Sequence, residues 1–301
     1  MRLRTIVATA ALLVPALFGP ALAAEIDTAR GPVDVVDVPE RVAVYDIAAI
    51  DTLDLLGIRP AGIPDRLYLP ELAHLAADAE VVGTLFEPDL EALNALAPDL
   101  VIVGLRSSPM VEATSRVAPT IDMTIEGTDL LAAARRRLAA YGALFHREQE
   151  AARAAAAFDA AIGRTRAAIA GKGRGLVVLV NGPKISVYGP NSRFGWIHTD
   201  LGLPPAVDLA GTAVHGEAVS FEFIRQADPD WLVVLDRTVA TGEGAASAAG
   251  TLDNELVAAT TAWREGQVVY LPPADVYIAA GGIAATTRVL AALEHGFSRA
   301  P

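Results

Sequence analysis

Two stretches of the chain carry the same order of apolar and polar positions. Leu90–Val103 reads LEALNALAPDLVIV and Phe221–Val234 reads FEFIRQADPDWLVV. At an offset of 131 residues Glu91 meets Glu222, Pro98 meets Pro229, Asp99 meets Asp230 and Val103 meets Val234. In each copy a short helical stretch stops at a Pro-Asp pair, because proline cannot continue a helix. An apolar run follows that suits a parallel strand buried on both faces. One αβ unit stated twice predicts two similar lobes, and a cleft between lobes is a common seat for a small ligand.

The patterning around these units fills in the rest. Arg41–Gly57 reads as strand then helix, closed by Gly57. Val81–Gly83 and Val101–Gly104 supply further strands. Residues 128–172 are rich in Ala, Arg and Glu, with Thr128 and Asp129 able to cap the start and Gly142 the one weak point before Gly163. Gln149–Ala170 is long enough, at about 1.5 Å per residue, to cross between lobes. Strands at Leu176–Asn181, Leu232–Leu235 and Val268–Leu271 and a closing helix at Ala284–Phe297 make the second series. Residues 242–250, GEGAASAAG, read as a surface loop. The expected architecture is α/β, two lobes with mostly parallel central sheets joined by one long helix. The boundaries are a signal peptide at 1–23, a first lobe at 24–147, a connecting helix at 148–172 and a second lobe at 173–301. A rigid helical connector favours a small closure motion.

The first residues add a compartment. Arg2 and Arg4 precede a short apolar run, and Ala21-Leu22-Ala23 is a small-x-small cleavage signal, so the cut falls after Ala23. The competing reading, a membrane anchor, needs a longer apolar core without Pro15, Gly19 and Pro20. With no cysteine anywhere, the chain has no disulfide, no thiolate metal site and no cysteine for lipid anchoring. A periplasmic location, without a lipid anchor, follows. Losing Arg2 and Arg4 takes the formal charge from −12 to −14, which argues against nucleic acid as a partner.

Three constellations could carry chemistry. His215 lies in a Gly-flanked loop, and Tyr277 follows the last strand; imidazole and phenolate are both competent ligands for ferric iron. On spacing alone they read as surface groups. Arg106 and Arg237 each follow an apolar strand and are related by the same offset of 131, while Arg193 precedes a helix. Three guanidiniums at one cleft would bind a polyanion, whereas singly each reads as a solvated or ion-paired side chain. Glu91 and Glu222 each start the helix of their unit. They read either as helix-end electrostatics or as a symmetric pair of knobs for a two-fold partner. His198 reads as structural, and His74, His146 and His295 as helix-surface groups. No G-x-S-x-G, H-E-x-x-H or phosphate-binding loop is present.

The run of motifs RVAVYDIAAIDTLDLLG, FEPDLEALNALAPDLVIVGLR, SRFGWIHTDLGL, HGEAVSFEFIRQADPDWLVVLDR, GTLDNELVAATTAW and VYLPPADVYIAAGG resembles the periplasmic siderophore-binding proteins of iron ABC transporters. The likeness is to the branch that takes ferric catecholates such as enterobactin and petrobactin. The resemblance implies a monomeric, non-enzymatic carrier of the class III periplasmic binding fold, with no intrinsic cofactor. Its ligand would be an Fe(III)–siderophore complex, delivered to an inner-membrane ABC permease and its ATPase. It further implies that Arg106, Arg193 and Arg237 face the siderophore oxygens. His215 and Tyr277 would complete iron coordination when the chelate supplies four donors, and Glu91 and Glu222 would dock on the permease. Leu105-Arg106-Ser107 departs from the usual Gly-Arg-Gln. Asp275 stands where an aromatic residue is common, and a carboxylate pointing inward there would disfavour the most anionic chelates.

The same architecture could instead carry haem, cobalamin, another siderophore class or a bare metal ion. A bare ion finds only one His and one Tyr, and haem or cobalamin would favour an apolar, aromatic cleft. A periplasmic enzyme using His215 as a base, or a scaffold that binds only proteins, are the readings from other classes. Trp196 and Trp231, both expected near the cleft loops, would report binding by fluorescence.

Overall fold

The computed structural model describes residues 23–36, 38–209, 214–242 and 247–299. Apart from Ala23, the expected signal peptide lies outside these residues. The chain opens with a hairpin of β1 (Ala23–Thr28) and β2 (Gly31–Val36), which the patterning did not suggest. The hairpin docks on the first lobe through Ala29, whose amide donates to the Asp122 carbonyl at 2.8 Å. Arg30 adds an ion pair with the Asp122 carboxylate at 2.9 Å.

The first lobe runs β3 (Val42–Val44), α1 (Ile47–Leu55), β4 (Gly62–Ile63), β5 (Glu80–Val81), α2 (Leu90–Leu96), β6 (Leu100–Val103), α3 (Val111–Thr114) and β7 (Thr120–Asp122). Its sheet has the order β5-β4-β3-β6-β7, with every neighbouring pair parallel. Leu100 to Val103 are fully buried, as an apolar run between two helical layers must be.

Helices α4 (Leu130–Leu144) and α5 (Glu148–Ile169) carry the chain onward. The break between them falls at residues 145–147, where His146 takes φ of 50°, and not at Gly142. Gly142 lies inside α4 because the helices touch there: a Cβ on it would stand 2.6 Å from the Ala151 methyl. His146 therefore joins two helices rather than sitting on one.

The second lobe runs β8 (Gly175–Asn181), β9 (Lys184–Tyr188), α6 (Trp196–Thr199), β10 (Glu217–Val219), α7 (Phe221–Ala227), β11 (Trp231–Asp236) and α8 (Arg237–Thr241). It continues through α9 (Ala248–Leu252), α10 (Glu255–Ala258), α11 (Thr261–Arg264), β12 (Val268–Tyr270), α12 (Pro273–Tyr277) and α13 (Ile283–Arg299). The order is β10-β9-β8-β11-β12, parallel over β8-β11-β12 and antiparallel at β9 and β10. Part of the stretch expected to be loop is helix: Ser247 caps α9 by accepting from the Gly250 amide at 3.3 Å.

One apolar core runs through both lobes. It takes in Val44 and Ile50 of the first lobe, Phe158 and Ile162 of α5, Val233 of the second lobe and Leu290 and Phe297 of α13. The outer face of each sheet has its own smaller cluster. A polar joint reinforces the contact. The Ala285 amide donates to the Asp51 carboxylate at 2.9 Å, and Arg288 pairs with both Asp51 (3.1 Å) and Asp275 (2.6 Å). In both sheets the strands diverge from a central parallel pair, β3/β6 and β8/β11. The carboxyl ends beside such a pair are where open α/β sheets hold ligands.

Candidate binding site between the lobes

Three arginines surround one tyrosine. Arg106 follows β6. The preceding Leu105 takes φ of 48° and donates its amide to Thr124 Oγ1 at 2.8 Å, which turns the next side chain toward the other lobe. There Arg106 Nη2 donates to the Tyr277 carbonyl at 2.7 Å and Nη1 to the Ile278 carbonyl at 3.4 Å. Arg237 opens α8 at the end of β11, and Asp236 caps that helix by accepting from the Val239 amide at 3.0 Å. Arg237 Nε donates to the Tyr277 hydroxyl at 2.9 Å. Arg193, between β9 and α6, lies 4.7 Å from the Phe194 ring centroid and 4.9 Å from that of Tyr277. Arg106 stands 4.9 Å and Arg237 5.8 Å from the same Tyr277 centroid. Tyr188 packs edge-on to Phe194 and backs the group.

The charges tune one another. Burial alone would raise the Tyr277 phenol. The Arg237 hydrogen bond and the charges of Arg237, Arg106 and Arg193 outweigh it and hold the phenol below its ordinary value. Burial, and then the Arg193 charge, lower the Arg106 guanidinium. The repelling cations are held by the fold, by the Tyr277 and Ile278 carbonyls that accept from Arg106 and by the Tyr277 hydroxyl that accepts from Arg237, with no carboxylate hydrogen-bonded to Arg106 or Arg237 among the described residues. Such a cluster favours an incoming anion.

Arg193 and His215 line a cavity of about 450 Å³ with Asp46, Leu105, Arg137 and Ala280. His215 is exposed in a turn before β10. The following Gly216 lets that turn lie on Tyr188, since a Cβ there would come within 2.7 Å of the ring. The Arg193 amide ties to the same turn through the Val214 carbonyl at 3.0 Å. A larger hollow of about 700 Å³ between β1 and α4 is lined by none of Arg106, Arg193, Arg237, His215 or Tyr277; the smaller cavity has Arg193 and His215 in its wall, while Arg106, Arg237 and Tyr277 are not among its lining residues. Among the described residues no three His, Asp or Glu side chains converge as a metal cage.

Two residues of the cavity wall escaped the sequence reading. Asp46 caps α1 at the carboxyl end of β3, and Arg137 pairs with it at 2.5 Å in a buried bridge shared with the Tyr141 hydroxyl at 3.3 Å. The strand-end rule that singled out Arg106 would have found Asp46. Arg137 was hidden in the run Arg135–Arg137, of which it alone faces inward.

A family model described as periplasmic binding protein matches residues 42–274. The chain belongs to the periplasmic binding protein family. The petrobactin-binding protein YclQ of Bacillus subtilis is 32% identical over 265 residues, spanning 87% of this chain and 83% of that protein. Its crystal structure matches with a TM-score of 0.84 over 92% of this chain and 99% of the other. A periplasmic binding protein from Xylanimonas cellulosilytica gives 0.82 at 36% identity, over 92% of this chain and 99% of the other. The catecholate-siderophore binding protein VctP of Vibrio cholerae gives 0.83 at 28% identity, over 91% and 100%. The two αβ lobes and the connecting α5 are the fold of these TroA-like periplasmic binding proteins.

Against that fold, several sequence expectations change. Tyr277 ends the short helix α12 rather than sitting in a loop. Asp275 is buried and its carboxylate is taken up by Arg288, so it is not a free carboxylate offered to the chelate. Trp196 is buried just beyond Arg193. Trp231 lies at the opposite, amino end of β11, stacked on Phe297 at 4.0 Å with its indole N–H on the Lys172 carbonyl. His198 is held between the Leu203 and Tyr188 carbonyls, a structural role. Glu91 and Glu222 are both exposed in the first turns of α2 and α7. Each of these helices leads into a central strand of its lobe's sheet. A Ser220 hydrogen bond holds the Glu222 carboxyl below its ordinary value.

Proposed function

We propose that this periplasmic binding protein is the substrate-binding component of an iron–siderophore ABC importer, taking an anionic ferric catecholate in the cleft between its lobes. The observation that carries the reading is the convergence of Arg106, Arg193 and Arg237 on Tyr277. It is a fixed cationic surface with a polarised phenol at its centre. Charge-assisted donors of this kind recognise catecholate oxygens, and the planar forks add geometry. Iron arrives inside its chelate. Where the chelate leaves two positions open, Tyr277 and His215 fill them; a hexadentate chelate uses the arginines alone. The relatives YclQ and VctP, named for petrobactin and catecholate siderophores, support the ligand class.

In this reading the protein is exported by its leader, acts as a monomer, carries no cofactor of its own and catalyses no reaction. Glu91 and Glu222 bring it to basic groups of the inner-membrane permease, whose ATPase drives uptake. The test is a Trp196 quenching titration of the mature protein with a ferric bis-catecholate, haem and cobalamin. Saturable quenching by the ferric catecholate alone, weakened when any of the three arginines is replaced by alanine, is the expected result. Tighter binding of haem or cobalamin would overturn the ligand class.

A further inference from the structure

The two corners that carry Glu91 and Glu222 differ in chemistry. Ahead of α2, Phe86 is 59% exposed, with Val81 at 54% and Leu90 at 39% beside it in the chain. Leaving a phenylalanine in water forgoes about 2 kcal/mol of burial, yet the turn that presents it is rigid. Thr84 Oγ1 accepts from the Phe86 and Glu87 amides at 3.2 and 3.0 Å. The Thr84 amide donates to the Glu87 carbonyl at 2.8 Å, and the Asp89 amide to the Val82 carbonyl at 2.9 Å. Asp89 then caps α2 by accepting from the Glu91 and Ala92 amides, so Phe86 and Glu91 are held in a fixed relation.

The same position ahead of α7, four residues before its first, is the exposed Glu217, and Glu222 follows in the first turn. One corner is thus an aromatic knob with a carboxylate; the other has a carboxylate in place of the aromatic, and its exposed apolar residue, Val214 at 53%, lies beside His215 in the cavity wall. Glu87, Asp89 and Glu91 flank the ring on a chain of net charge −12. An anionic bilayer would repel such a knob, which leaves a protein seat as its occupant.

Building on the importer reading above, we infer that the protein docks on its permease in one orientation only. The Phe86 corner enters an apolar hollow edged by a basic group on one permease half, and Glu217 with Glu222 meets basic groups on a second, chemically different half.

The absence of cysteine makes the test clean. Single-cysteine variants Phe86→Cys, Glu217→Cys and Glu91→Cys are labelled with a benzophenone maleimide. They are then photolysed on inner-membrane vesicles of the source organism, and the adducts are mapped by mass spectrometry. The expected result is that the Phe86 and Glu217 probes mark different permease subunits. A further variant, Phe86→Glu, should bind a ferric bis-catecholate unchanged while cutting the Glu91 adduct at least tenfold. Both probes marking the same permease segment overturns the inference, as does a Phe86→Glu variant with a full Glu91 adduct. Adducts from Glu91→Cys without any from Phe86→Cys overturn it and leave the importer reading standing. Failure of all three probes to mark a permease removes both.

Discussion

Arg106 and Tyr277 stand 171 positions apart, and the guanidinium of the first donates to the main-chain carbonyl of the second at 2.7 Å. The bond crosses from one lobe to the other, and a second crossing runs from Arg66 to the Thr241 carbonyl at 2.9 Å. Arg106 is therefore both a cleft cation and a tie between lobes. Replacing it with alanine removes a charged hydrogen-bond donor, worth about 1.5–3 kcal/mol. Affinity for a ferric bis-catecholate should fall about 10- to 100-fold, as read by fluorescence titration. Undiminished affinity would take Arg106 out of the ligand contact.

The Tyr277 phenol should be the first to ionise among five of the tyrosines. Its arginines lower it, whereas burial raises Tyr45, Tyr141, Tyr188 and Tyr270. In an ultraviolet pH titration of the ligand-free protein, Tyr277→Phe should remove the earliest phenolate step. Arg237→Ala, which deletes the hydrogen bond to the hydroxyl, should move that step to higher pH. An early step that survives Tyr277→Phe would assign it elsewhere.

The interlobe joint gives a stability signature. Burial, opposed by the Ala285 amide and Arg288, lifts the Asp51 carboxyl from 3.8 to about 6. Within that window the folded protein keeps a proton that the unfolded chain has released. Stability attributable to Asp51 therefore falls as pH rises from about 4 to 6, by on the order of 3 kcal/mol. Asp51→Asn should flatten the pH dependence of urea unfolding over this range, and an unchanged slope would show that another group sets it.

The buried Asp46–Arg137 bridge should behave as a unit. Arg137→Met alone strands a carboxylate that is 4% exposed and should cost about 3–5 kcal/mol. The double change Asp46→Asn with Arg137→Met should recover more than half of that loss in chemical unfolding. Additive losses would show that the two side chains act independently.

Much of the scaffold was legible because it is local. The repeated helix–Pro-Asp–strand unit announced α2–β6 and α7–β11, and the strand-end rule found Arg106 and Arg237 at matching positions. What escaped depends on contacts that no local pattern records. The β1–β2 hairpin is short and is held by Asp122, far along the chain. Asp275 meets Arg288 only when α12 and α13 fold back on α1. Trp231 was placed near the cleft because its strand leads there, but it sits at the strand's other end. Gly142 looked like a helix breaker and instead allows α4 and α5 to touch. The convergence of three arginines on one phenol could be named residue by residue, yet its geometry needed both lobes.

The most direct measurement is an absorbance titration of the mature protein into a ferric bis-catecholate, followed at the ligand-to-metal charge-transfer band. Saturable binding with a band shift that disappears in Tyr277→Phe and His215→Ala is the expected result. It would place a chelated iron against the arginine-ringed phenol. No saturable binding of any ferric catecholate would contradict the assignment of this cleft to that cargo.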